Sequence, residues 1–344
     1  MDIRVLSAGT ALPGPPVSNA ALAARFGMDT LWEQWVDAFI GTRHRHLALD
    51  LETGGQEHSL ADLGTEAGRE ALARAEITPS EVDLVVLSTA TPDALMPATV
   101  NVIADRLGID GVTTLQLQAG CSGAVQALDT ARQLLLAGRH RTALVLGGEV
   151  LARFYDLSAD LGGLPPEQLV NFVLFGDGAG AAVLTTRDVP GAVSLVTSMT
   201  RLEGLGHEPG ATLEWFGPVD RDSGRVPASE DYKAIERRVP LMAGATVDGL
   251  LDELDWKDSE VDYLLPPQLS GRMSDRISRH LADHHGLAAA HTVNCVDETG
   301  NNGNGLVYFQ LERALDRLAE GDRALGVSIE SSKWIRAGFA LERR

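Results

Sequence analysis

The chain holds 344 residues, 44% hydrophobic and 22% charged, with 48 acidic against 29 basic side chains and a net charge of −19. It is long enough for a sizeable core in one or two domains, and its acidity argues against nucleic acid or an anionic membrane as partner. Two cysteines, Cys121 and Cys295, exclude a disulfide scaffold and fit a reducing, cytoplasmic setting. No apolar run approaches the ~18 residues of a membrane span, and residues 1–6 lack the basic-then-apolar pattern of a signal peptide.

Residues 3–12 alternate and branch like a first strand, and 31–39 read as a helix carrying Trp32 and Trp35. A basic cluster follows, Gly41-Thr42-Arg43-His44-Arg45-His46. Residues 59–75 predict an amphipathic helix capped by Ser59. Residues 84–87 are a continuous apolar run, as in a strand buried on both faces. The stretch 115–124 then delivers Cys121 into a turn of small residues. Val125, Leu128, Ala131, Leu134 and Leu135 set helical spacing directly after it. Free N–H groups and the dipole at such a helix start favour the thiolate, and Gly120, Ser122 and Gly123 leave room for a substrate. Two readings stand at this point: a nucleophile that takes an acyl group from a thioester, or a buried structural thiol. Cys295 lies in an apolar run and reads as core.

The pattern then repeats. Ser80-Glu81-Val82-Asp83 and its apolar run return as Ser259-Glu260-Val261-Asp262 before Tyr263-Leu264-Leu265, and each follows an amphipathic helix, 61–75 and 241–254. Strand 112–118 with Gly120-Cys121 matches 292–297 with Gly300-Asn301. Helix 124–137 matches 306–320, strand 143–148 matches 324–329, and 180–185 matches 337–342. Alternating strands and helices imply parallel-rich sheets covered by helices. The expected division is 1–190 and 191–344, two similar α/β halves with a site at their interface near the strand C-termini. Cys121 and Asn301 occupy equivalent turns and are expected to face one pocket. Residues 200–230, rich in Gly and Pro and holding Trp215 and Phe216, read as a lid or a connector.

Taken together, Trp35, the 41–46 cluster, Ala119-Gly120-Cys121-Ser122-Gly123-Ala124, Leu151-Ala152-Arg153, Phe175-Gly176-Asp177-Gly178-Ala179-Gly180-Ala181 and Gly300-Asn301 resemble the β-ketoacyl-acyl-carrier-protein synthase III family of the thiolase superfamily. The Gly-rich 176–181 run lacks the Lys-Ser/Thr ending of a phosphate loop. The resemblance implies a thiolase fold, five-layered αβαβα, and a homodimer. It implies Cys121 as nucleophile and Asn301 as its asparagine. Where the family carries a catalytic histidine, the segment reads Pro266-Pro267-Gln268-Leu269-Ser270, so Pro267 supplies no side-chain donor for an enolate oxyanion. The chain is therefore expected to load an acyl group but to decarboxylate malonyl thioesters poorly.

Further departures concern the pocket. Asn302 and Asn304 add amides, Met96 replaces a pocket-closing aromatic, Trp334 enters the C-terminal loop, and Phe39 replaces an arginine that helps hold coenzyme A. Trp35 and Arg153 remain as donor-binding residues, and Arg272 matches a position that docks the acyl carrier protein. Glu298 and His207 are candidates for the missing base, with His280, His284, His285 and His291 behind them. No metal is expected, since no ligand spacing matches, and no cofactor beyond the carrier-protein or coenzyme A thioester substrate. The expected activity is transfer of an acyl group through Cys121 to an N, O or S acceptor, in natural-product biosynthesis. A carbon–carbon bond-forming ketosynthase and a non-catalytic heterodimer subunit are the alternatives.

Overall fold

The computed structural model describes residues 2–154, 157, 163, 166–215, 224 and 226–344. The first half contains β1 (Arg4–Ala11), β2 (Val17–Ser18), α1 (Asn19–Phe26), α2 (Thr30–Trp35), β3 (His44–Arg45), α3 (Leu60–Arg74), β4 (Leu84–Ser88), α4 (Thr99–Leu107), β5 (Thr113–Leu117), α5 (Gly123–Leu136), β6 (Thr142–Glu149), α6 (Pro166–Leu174) and β7 (Gly178–Thr185). The second contains β8 (Val193–Leu202), β9 (Ala211–Leu213), β10 (Ala228–Glu230), α7 (Tyr232–Leu254), β11 (Tyr263–Leu265), α8 (Gly271–His284), β12 (His291–Thr292), α9 (Val296–Thr299), α10 (Leu306–Leu315), β13 (Arg323–Glu330) and β14 (Ile335–Arg343).

Ten strands form one sheet that joins at β1 and β8, where Val5 faces Val193 in an antiparallel pair. From that seam one arm runs β1-β7-β6-β4-β5 and the other β8-β14-β13-β11-β12. In both arms the three strands nearest the seam pair antiparallel and the outer pairings are parallel. The parallel pairs require helical crossovers, which α4, α5, α8 and α10 supply. Three apolar cores separate the layers. One packs α3 and α4 against the first arm, around Leu63, Ile103 and Leu146. A second packs α7 and α8 against the other arm, around Val247, Ile277 and Leu325. The third lies between the arms, where Leu128 of α5 and Leu311 of α10 meet. The result is the five-layered αβαβα arrangement of the thiolase fold.

Residue size fixes the middle layer. A Cβ at Gly180 would stand 2.3 Å from the Tyr308 Cβ, and one at Gly147 2.8 Å from the same ring, so the two glycines make the space that Tyr308 of α10 fills. Ser59 caps α3 through a capping box with Asp62.

Three expectations change. Residues 31–39 form α2 followed by a π-helical turn, Val36–Ile40. The second-half helix expected over 241–254 begins at Tyr232, capped by Asp231, whose carboxylate accepts from the Ala234 N–H at 2.9 Å. Residues 292–297 are not a strand: β12 ends at Thr292, and the Gln268 side-chain oxygen takes the N–H groups of Cys295 and Val296 at 2.9 Å each. That amide substitutes for a neighbouring strand and turns the chain into α9. Within 200–230, β8 continues to Leu202, and β9 and β10 pair as an antiparallel hairpin with Ala211 opposite Glu230. Phe216 lies outside the described residues. Among the described residues no helix is long and apolar enough to cross a membrane.

Candidate active site

Cys121 stands in the turn between β5 and α5, two residues before the helix. The Gly123 N–H donates to the Gly120 carbonyl at 2.8 Å and closes the turn. From the other half, Ser328 Oγ of β13 donates to the Cys121 carbonyl at 2.5 Å, and Asn304 Nδ2 to the Ala119 carbonyl at 2.9 Å. Residue 123 has to be glycine, since a Cβ there would stand 2.0 Å from Ser88 Oγ and 2.6 Å from Asn304 Oδ1. The turn is thus clamped across the interface of the halves.

Cys121 opens into a cavity of about 590 Å³. Phe154, Phe172, Phe175 and Trp215 give it aromatic walls, the β9–β10 hairpin covers one side, and Glu149, Glu230 and Glu330 are among its lining residues. Among the described residues the lining contains no lysine, arginine or histidine. Phe172 is placed by α6, which the buried Arg45 holds by donating to the Val173 carbonyl at 2.7 Å. Asp177 of the 175–181 run is fully buried. It accepts from the N–H groups of Leu151, Ala152 and Ala48 at 2.6–3.0 Å, so it shapes the wall at Leu151.

The three glutamates are held differently. Glu149 accepts from Asn304 Nδ2 and Thr91 Oγ1 at 2.6 Å each, from the Ala90 N–H at 3.0 Å and from Thr89 Oγ1 at 3.1 Å. Burial still pushes it up to about 7. Glu330 accepts from Ser122 Oγ at 2.6 Å and from Ser332 Oγ. Glu230 of β10 makes no side-chain hydrogen bond to any described residue, and burial pushes its carboxyl up to about 7. These charges reverse the expected thiolate. Burial, then Glu330, Glu230 and Glu149, hold the Cys121 thiol well above the ordinary range, and the two-residue offset from α5 does not compensate.

The other expected site residues divide. Asn301 is buried, its Oδ1 accepting from the Gly303 N–H at 3.0 Å; its neighbour Gly303 lines the cavity and Asn301 does not. Asn302 is fully buried against Gly178 and Gly305. Asn304 acts as the clamp described above. Glu298 lies outside the cavity, exposed and paired with Arg313 at 2.8 Å, which removes it as the base for Cys121. His207 is likewise exposed and outside the lining. Pro267 is buried and Gln268 binds backbone, donating to the Val293 carbonyl at 2.8 Å. Trp334 is core: its Nε1 donates to the Glu208 carbonyl at 2.7 Å and the Arg238 guanidinium lies 4.4 Å from its ring centre. Arg153 donates to the Pro92 carbonyl, pairs with Asp93 at 3.1 Å and lies 5.9 Å from the Trp215 ring, behind the wall. Met96 is exposed at a cis peptide before Pro97, and Trp35 is partly buried 6.2 Å from the Phe39 ring. Arg272 lines a second cavity of about 380 Å³ with Arg43, Asp37, Asp275 and Asp297. Cys295 is fully buried. The sequence reading missed Glu149, Glu230 and Glu330. A lone acid ending a largely apolar strand was the available signal for two of them.

Residues 115–200 match the family model described as 3-oxoacyl-[acyl-carrier-protein] synthase III. Over 342 residues the chain is 30% identical to β-ketoacyl-[acyl-carrier-protein] synthase III of Neisseria gonorrhoeae, covering 98% of this chain and 96% of that one. A solved structure described as AbyA1, a tetronic acid condensing enzyme, is 65% identical over 99% of both chains, with a TM-score of 0.95. The priming β-ketosynthase of the R1128 polyketide pathway is 27% identical over 99% of this chain and 96% of its own, with a TM-score of 0.82. With its duplicated half-fold and an interface cavity holding Cys121, the chain belongs to the β-ketoacyl-[acyl-carrier-protein] synthase III family, within the thiolase superfamily.

Proposed function

We propose that this chain is a condensing enzyme that joins two thioester-bound acyl groups into a tetronic acid-type ring, with Cys121 carrying one of them. The observation that carries the reading is the 65% identity, over 99% of both chains, to a tetronic acid condensing enzyme. A tetronic acid is a five-membered lactone that holds a 1,3-dicarbonyl. Building one from two thioesters takes one carbon–carbon bond and one acyl transfer to a hydroxyl. The ring therefore unites the two reactions that the sequence alone leaves as alternatives, and neither step requires loss of carbon dioxide. Two features agree. Pro267 has no donor for a malonyl-derived enolate, and the described cavity lining, with three glutamates and no lysine, arginine or histidine, disfavours a malonyl carboxylate.

The cavity stabilises the reaction through backbone. N–H groups of the Cys121 turn are the available donors for a tetrahedral oxyanion. The donors are acyl-carrier-protein or coenzyme A thioesters, with Arg272 beside Arg43 as the carrier-facing patch. The working assembly is a homodimer in the cytoplasm, and no metal or further cofactor takes part.

The test supplies an α-hydroxyacyl thioester and a β-ketoacyl thioester of N-acetylcysteamine and follows products by mass. The expected outcome is a ring product with release of two thiols, reduced by at least about 10³-fold in Cys121→Ala. An open-chain ester or amide would replace this reading with simple acyl transfer. Carbon dioxide from a malonyl thioester would replace it with decarboxylative condensation.

A further inference from the structure

Cys121 lacks the partner a neutral thiol needs. Its surroundings hold the thiol protonated, so attack on an acyl donor requires a group that takes the proton as the sulfur reacts. Among the described residues, the only side chains lining the cavity that can do so are Glu149, Glu230 and Glu330. Glu149 has its lone pairs engaged by four donors. Glu330 is fixed by the hydroxyls of Ser122 and Ser332. Glu230 is engaged by no donor among the described residues, and it is carried on the hairpin that covers the cavity.

We propose that Glu230 is the proton-transfer residue of this cavity, taking the Cys121 proton during acyl loading and delivering it to the departing thiol. The inference rests on the reading of Cys121 as the acyl carrier. The Glu230 carboxylate accepts the thiol proton while the sulfur bonds to the donor carbonyl carbon. The bond from that carbon to the donor sulfur then breaks, and the proton passes from Glu230 to the departing sulfur. The products are the Cys121 thioester, the free donor thiol and the Glu230 carboxylate, with no other reactant. In the return step the same carboxylate takes a proton from the acceptor and supplies it to Cys121. Among the described residues, the titratable groups that share the cavity with Glu230 or interact with it are Cys121 before α5, Glu149 at the end of β6, Glu330 at the end of β13 and Tyr232 at the start of α7. All four are neutral or acidic. Burial among them pushes the Glu230 carboxyl up to about 7, within reach of both proton-transfer directions near neutral pH.

Loading of hexanoyl-N-acetylcysteamine onto Cys121, followed by intact-protein mass against pH, tests this in wild type, E230Q and E230D. The wild-type rate is expected to rise as pH passes about 7, where the base ionises. E230Q is expected to load about 100-fold more slowly with that limb lost, and E230D to recover part of the rate. A merely electrostatic neighbour predicts the opposite sign, because removing its charge eases ionisation of the thiol and speeds loading. E230Q loading at or above the wild-type rate, or a limb that survives in E230Q and vanishes in E149Q, overturns the assignment. Should E230Q lose its fold by thermal melting, the E230D rate and pH limb decide in its place, and an unchanged E230D profile overturns it. Wild type that accepts no acyl group overturns the reading of Cys121 itself, and Glu230 with it.

Discussion

Glu149 closes β6 and Glu330 closes β13, equivalent positions in the two arms of the sheet. Each reaches across the interface to the segment that starts the other half's central helix. Glu149 meets Asn304 ahead of α10, and Glu330 meets Ser122 ahead of α5. The duplicated scaffold therefore repeats a clamp, but with different chemistry on the two sides. Around Glu149 the partners include a backbone N–H, which can only donate, and the Asn304 Nδ2, with two threonine hydroxyls beside them. Around Glu330 they are two hydroxyls, which can rotate to accept. The first side is a fixed wall behind the cavity, and the second is an adjustable one beside Cys121. Duplication supplied the frame, and side-chain divergence set which turn opens to substrate. The Cys121 turn lines the cavity, while the equivalent Asn301 turn is packed shut with Asn301 and Asn302 buried.

The clamp at the Cys121 turn is the most sensitive place to break this asymmetry. Gly123→Ala forces a Cβ into Ser88 and Asn304, and is expected to lower unfolding free energy by about 2–4 kcal/mol, measured by urea denaturation. An unchanged midpoint would mean that the halves are not locked there. Next comes the difference between the two glutamates. Glu149→Gln replaces an acceptor oxygen, engaged by the Ala90 N–H and the Asn304 Nδ2, with an N–H₂ and is expected to cost about 1–3 kcal/mol. Glu330→Gln, whose hydroxyl partners can turn, is expected to cost about 1 kcal/mol or less. Equal costs would remove the distinction drawn between the walls.

A pH series sharpens the same point. Burial raises Glu149 and Glu230 to about 7 and Asp177 to about 6 in the folded chain. Groups raised on folding bind their protons more tightly when folded. Their stabilisation is complete below the unfolded values, 4.5 for the glutamates and 3.8 for Asp177, and is lost as pH climbs through the folded values. Unfolding free energy is expected to fall between about pH 4.5 and about pH 7, by roughly 1–3 kcal/mol for the Glu149 share. Glu149→Gln should flatten that slope, and a slope of the opposite sign would contradict the burial of these groups. The smallest effect is expected at Glu298. Its exposed pair with Arg313 lies outside the cavity, so Glu298→Ala should shift stability by no more than about 0.5 kcal/mol. Acyl loading should be unchanged. A large loss of loading would return Glu298 to the site.

Much of the frame was legible because it depends on local pattern. The continuous apolar runs of β4 and β6, the Ser59 cap, the helical spacing after Cys121 and the recurrence of Ser-Glu-Val-Asp before an apolar run carried the α/β class and the duplication. Cys121 was legible for the same reason, since strand, small-residue turn and helix are contiguous. The repeat set the Asn304 amide against the Cys121 turn, but the expectation that Asn301 faces the same pocket fails, since Asn301 is buried away from the lining. It could not say which of the two turns opens, because packing of Asn301 and Asn302 against residues remote in sequence decides that.

The sequence by itself determined the alternation of elements, their repetition and the placing of a thiol before a helix, since propensity, capping and periodicity act over a few residues. Only the tertiary structure decided the charge state and company of that thiol. Glu149, Glu230 and Glu330 act on Cys121 from separate strands, and their burial and their effect on the thiol arise only once both halves have closed around one cavity. The same holds for Trp334, whose expected place in the pocket became a place in the core through contacts far along the chain. Electrostatics in a buried site is a sum over distant residues, and no window of sequence contains its terms.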